Sequence, residues 1–124
     1  MDNRFLIYIG FQNDVNSLFD KLIKKFDLKI VYKSDSGVFF INEHTKLEIT
    51  YETGLQIWLI TKNKEPEMLA KLCMNIGKEL YAQYKKLLFS MNDSVEIKKK
   101  SFQNLSKFLI ENFESEFSPT SARL

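Results

Sequence analysis

The sequence predicts an α+β domain, a mostly antiparallel five-stranded sheet with three helices in the order β-α-β-β-β-β-α-α. Apolar residues alternate with period two between Leu28 and Thr61, helical periodicity flanks that block on both sides, and turn-forming residues separate its short runs.

Residues 4–9, Arg-Phe-Leu-Ile-Tyr-Ile, are apolar on both alternating faces and end at Gly10, the pattern of a buried central strand. Val15, Leu18, Phe19, Leu22, Ile23 and Phe26 then form one helical stripe, predicting a helix over 13–26 with Asn13 or Asp14 as its cap. In 28–33, Leu28, Ile30 and Tyr32 alternate with Lys29, Val31 and Lys33, and Asp35-Ser36-Gly37 turns the chain into Val38–Ile41. After Asn42-Glu43-His44, Leu47, Ile49 and Tyr51 alternate with Lys46, Glu48, Thr50 and Glu52, and Thr53-Gly54 leads into Leu55–Thr61. These four runs predict an antiparallel meander. The helix before it either crosses over to set the first two strands parallel or precedes an antiparallel return.

Pro66 suits the first position of the next helix, whose stripe runs from Leu69 through Cys73, Ile76 and Leu80 to Leu88 and ends near Met91. Gly77, inside that stripe, is expected to let another backbone approach. Asp93 and Glu96 have capping-box spacing for a third helix carrying Phe102, Leu105, Phe108, Leu109 and Phe113. Periodicity ends at Glu114, so residues 1–114 read as one domain and 115–124 as a flexible C-terminal tail.

Composition narrows the function. With 44% hydrophobic and 14% aromatic residues among 124, the chain has material for a core of large side chains. Eighteen basic and sixteen acidic residues leave a net charge of +2, well short of a dedicated nucleic-acid binder, and the only arginines are Arg4 and Arg123. The excess of Lys, Asn, Ile and Phe over Ala, Arg and Gly points to A/T-rich codons and so to a bacterial or phage source. A single cysteine, Cys73, allows no internal disulfide, and Phe5–Ile9 is short for a signal peptide or a membrane span. The expected location is the cytoplasm, with no membrane partner.

Residue types that carry chemistry are sparse. His44 falls in a turn, and Cys73 lies on an apolar helical stripe as a core thiol would. Glu48 and Glu52, on one strand face, stand about 13 Å apart, too far to share an ion unaided. No catalytic residue, metal or cofactor is therefore assigned. An enzyme or ligand-binding alternative would draw on Tyr8, Tyr32, Tyr51, Glu48 and His44 around a pocket near the sheet.

Two surfaces are candidates for partner binding. The first is the second face of the sheet, with Trp58 and Ile60 and either Phe39 with Ile41 or Val38 with Phe40. Under a covering helix these are core residues; left open, Trp58, Ile60 and Phe39 form an aromatic patch suited to an interface. The second is a Lys-rich helical hairpin, where residues 71–107 hold eight lysines, among them Lys98, Lys99 and Lys100, against three carboxylates. The expected function is a non-catalytic protein-binding module, most specifically an immunity or inhibitor protein that neutralises a toxin by direct binding. The other alternative is a nucleic-acid accessory module using the Lys-rich hairpin.

Overall fold

A computed structural model describes residues 10–34, 36–51, 54–61, 64–89 and 93–117. The expected first strand at 4–9, together with Asp35, Glu52, Thr53 and residues 118–124, lies outside the described residues. Within them the chain runs as α1 (Phe11–Leu18), α2 (Asp20–Lys25), β1 (Lys29–Lys33), β2 (Gly37–Ile41), β3 (Thr45–Tyr51), β4 (Leu55–Thr61) and β5 (Glu67–Met68). The helices α3 (Leu69–Ile76), α4 (Lys78–Leu87), α5 (Val95–Asn112) and α6 (Glu114–Phe117) complete it. The fold is α+β, with an antiparallel five-stranded sheet in the order β1-β2-β3-β4-β5.

The meander from β1 to β4 follows the alternation of the sequence, but the helices break where one unbroken stripe is expected. The expected 13–26 helix starts two residues early, because Gly10 takes φ 84° and turns the backbone without a side-chain cap. It also divides at Phe19 into α1 and α2. The Phe19 N–H still donates to the Val15 carbonyl (3.0 Å), and the Phe19 carbonyl accepts from Ile23 (2.9 Å), so the apolar stripe keeps its face. Asp27, at φ 52°, closes α2 in the left-handed position, and the Leu28 N–H donates to the Ile23 carbonyl (2.9 Å).

Pro66 does not open a helix. Glu67 and Met68 pair with Leu59 and Trp58 instead, making the fifth described strand, and α3 begins after them at Leu69. The expected long helix then splits at Gly77, which is extended (φ 168°, ψ 158°) and has nothing within 4 Å of the place a Cβ would occupy, so no backbone approaches it. Glycine is a weak helix former, and here it joins two helices. The third helix is capped by Ser94, whose Oγ accepts from the Ile97 N–H (3.2 Å), one residue beyond the expected Asp93.

The core lies between one face of the sheet and the helices. Val38, Phe40, Leu47, Ile49, Tyr51, Ile57 and Leu59 point inward from the strands to meet Phe11, Val15, Phe19, Leu22, Leu69, Cys73, Phe102, Leu105 and Leu109. Phe102 is the hub: its ring meets Phe11 at 6.0 Å, Phe19 at 5.9 Å and Phe89 at 5.4 Å. Each fully buried ring of this kind stabilises the fold by roughly 1.5–3 kcal/mol relative to exposure.

Past Glu114 the chain continues in α6 through Ser115, Glu116 and Phe117, the first three residues of the expected tail. Phe117 is buried and stacks on Phe26 at 4.9 Å. Asn42 Nδ2 donates to the Phe117 carbonyl (3.0 Å) and to the Phe26 carbonyl (2.9 Å), while Thr45 Oγ1 donates to the Glu116 carbonyl. Helix α6 is thereby tied to both α2 and the β2–β3 turn.

Candidate functional site

Strand register sorts the side chains onto two faces. Opposite the core, one cross-strand row runs Tyr32, Phe39, Glu48, Trp58 and Met68, and the next runs Lys29, Ile41, Lys46 and Ile60. The inward set on β2 is Val38 with Phe40, so Phe39 and Ile41 belong to this outer face. Tyr32 reaches it through an irregularity: Ile30 pairs with Phe40 but Tyr32 pairs with Phe39, leaving Val31 as an extra residue. In an unbroken strand Tyr32 would share the parity of Ile30 and point inward, as the alternation predicts. One bulged residue reverses that parity and lengthens the aromatic row to the sheet edge.

None of the described helices packs on this face. Phe39, Trp58, Ile60 and Met68 are half-buried, and Tyr32 and Ile41 are 50% and 40% exposed. All six stand outside the cluster that the helices bury and outside the partly buried residues packed against it. Tyr32 and Phe39 lie ring to ring at 4.8 Å. Lys46 places its Nζ 5.2 Å from the Phe39 ring centre and 3.0 Å from Glu48 Oε2, so a cation and a carboxylate are pinned amid apolar groups. The face therefore offers aromatic and aliphatic contact area with charges already oriented.

The Lys-rich surface is less unified than its sequence. Three consecutive helical residues spread over about 200° of circumference, so Lys98, Lys99 and Lys100 cannot share one face of α5. Lys98 is half-buried, with Nζ 5.8 Å from the rings of both Tyr51 and Phe89, and serves the aromatic core. Lys99 and Lys100 are exposed.

The residues of the alternative pocket do not converge. Tyr32 and Glu48 are on the outer face, Tyr51 is buried on the inner one, and His44 sits in the β2–β3 turn beyond the far end of β3. Tyr8 lies outside the described residues. The His44 backbone N–H donates to Asn42 Oδ1 (2.8 Å), and the residue lines an open cavity of about 550 Å³ with Lys25, Asp27, Lys29 and Phe117. Cys73 is fully buried, and burial pushes its thiol up to about 11, away from a reactive thiolate. Among the described residues no group of three or more His, Cys, Asp or Glu is placed to hold a metal ion, and no helix is long and apolar enough to cross a membrane.

Of this face, the sequence marks Trp58, Ile60 and, as one of two options, Phe39 with Ile41. It misses Tyr32, for which no signal exists before the bulge is seen, and Met68, hidden inside an expected helix. No family model, curated protein or solved structure matches the chain.

Proposed function

We propose that the chain is a protein-binding module that docks its partner on the outer face of the sheet, with Trp58 and Phe39 as anchors. One observation supports this reading above the others: an aromatic and aliphatic row, Tyr32, Phe39, Trp58 and Met68, stands on the sheet outside the core that the helices bury. Interfaces concentrate their binding energy in such aromatic residues, flanked by oriented polar groups. Within this class the specific proposal is an inhibitor that covers the active site of a toxin; its support is the small size of the chain, 124 residues, and the analogy to other small inhibitors.

Affinity capture from the native host with wild-type, Trp58→Ala and Phe39→Ala baits tests the face. The expected result is a partner recovered by the wild type and lost by at least about tenfold in each variant, the size of a moderate hot spot. Melting temperatures within about 5 °C of wild type would accompany it, because neither residue belongs to the core. Equal capture by all three baits, or a collapse in melting temperature on Trp58→Ala, overturns the reading. For the inhibitor, stoichiometric wild-type chain should abolish the captured partner's activity; an active complex removes that role.

A further inference from the structure

Strand β1 is the first in the sheet order and, among the described residues, hydrogen-bonds to a neighbouring strand, β2, on one side only. All five of its residues, Lys29-Ile-Val-Tyr-Lys33, are exposed, and the middle three are large and apolar. The opposite edge, β5, is two residues long and offers little to pair with. An exposed edge with apolar side chains is a template for another strand, and the residues flanking it decide which strands are admitted.

Here both flanks are lysine, and neither Lys29 nor Lys33 has a carboxylate partner among the described residues. A second copy of the chain, laid antiparallel along β1, would bring the two lysines of each edge close to those of the other, and the crowding of like charges disfavours that pairing. The same two charges favour a guest with acidic ends. The bulge at Val31 limits the regular ladder to a few rungs, so backbone pairing alone is weak and the flanking charges carry much of the selection. It also sends Tyr32 to the outer face and Lys33 to the inner side, so a guest strand would be gripped on both of its faces.

We infer that β1 receives an added strand from a partner protein, an extended segment with apolar centre and acidic residues at both ends. This deepens the proposed function by naming the chemistry of the partner, yet it stands on the strand edge and not on Trp58, so the two fail separately.

The probe is a fluorescein-labelled, capped synthetic peptide, Gly-Glu-Val-Val-Glu-Gly, whose two Glu, three apart, point to opposite faces as Lys29 and Lys33 do, beside a twin with both Glu replaced by Lys. The expected result is binding of the acidic peptide about tenfold tighter than its twin, weakened when salt rises from about 50 mM to about 500 mM. Backbone amide shifts should concentrate in residues 29–33. The exposed double variant Lys29→Glu/Lys33→Glu should reverse the preference toward the lysine peptide, and Trp58→Ala should bind the acidic peptide within about threefold of wild type, since it lies across the sheet from β1. Equal binding of the two peptides, or an unreversed preference in the double variant, overturns the inference. So does loss of peptide binding in Trp58→Ala, which would put the peptide on the face, or dimerisation through β1 at low salt, which would make a second copy the occupant.

Discussion

Asn42 shows how one side chain joins distant parts of the chain. Its Nδ2 donates to two carbonyls, Phe26 and Phe117, and its Oδ1 accepts from the His44 and Thr45 N–H groups (2.8 and 2.9 Å), so α2, α6 and the β2–β3 turn meet on one amide. Asn42→Ala is expected to cost about 2–4 kcal/mol and lower the melting temperature by about 8–15 °C. A change within about 2 °C by calorimetry would show that water replaces the amide at no cost. Buried Cys73 gives a pH prediction. Its thiol is raised by burial to about 11, and burial also raises the Tyr84 phenol, with Cys73 and Tyr81 adding to the shift. In the folded state both groups hold their protons more tightly, so their contribution is complete below the ordinary thiol range. It is lost as pH rises and the unfolded chain ionises first. Denaturant titrations should give constant stability from about pH 6 to about pH 8 and, for Cys73, a loss of about 1.4 kcal/mol per pH unit between about pH 9 and 11. A Cys73→Ala variant with the same alkaline slope as wild type would remove the thiol as its source.

Among elements, breaks matter as much as stripes. Gly77 separates α3 from α4 in an extended conformation open to any residue, with no neighbour where a Cβ would go, whereas Gly10 holds φ 84° at the start of α1. Gly77→Ala should therefore be neutral or stabilising by about 0.5–1 kcal/mol, and Gly10→Ala destabilising by about 1–2 kcal/mol. Chemical denaturation of both variants checks the contrast; equal losses would mean that chain entropy, not backbone conformation, dominates at both sites. The helical stripes and the alternation of β2, β3 and β4 were legible because periodicity records which face is buried. The tie of α6 had a trace as well, since Phe117 continues the four-residue spacing of Leu109 and Phe113. The bulge in β1 had none: Ile30 and Tyr32 alternate with Lys29, Val31 and Lys33 in one unbroken parity, and only the register with β2 reverses it.

At the scale of the whole molecule, two layers give two separate surfaces. The sheet presents Phe39 and Trp58 outward, while α5 packs on the inner side and carries Lys99 and Lys100 on its exposed surface. Reversing Lys99 and Lys100 to Glu should leave the melting temperature within about 2 °C and partner capture within about twofold, because neither touches the outer face. Lys98→Glu should instead destabilise the fold by about 1–2 kcal/mol, as it exchanges a cation over the Tyr51 and Phe89 rings for a carboxylate. A tenfold loss of capture in the Lys99/Lys100 variant would move the docking surface to the helices.

What the sequence determined by itself is the α+β class, the meander, the inward stripes and the presence of more apolar residues on the sheet than one face requires. Periodicity suffices for these because burial on one side of an element repeats with the geometry of its own backbone. The tertiary structure alone decided that the described helices gather on the inner face, that Tyr32 joins Phe39 and Trp58 on the outer one, and that Lys98 turns toward the core. Each depends on register or packing between segments distant along the chain, and local pattern carries no record of which neighbour a residue will meet.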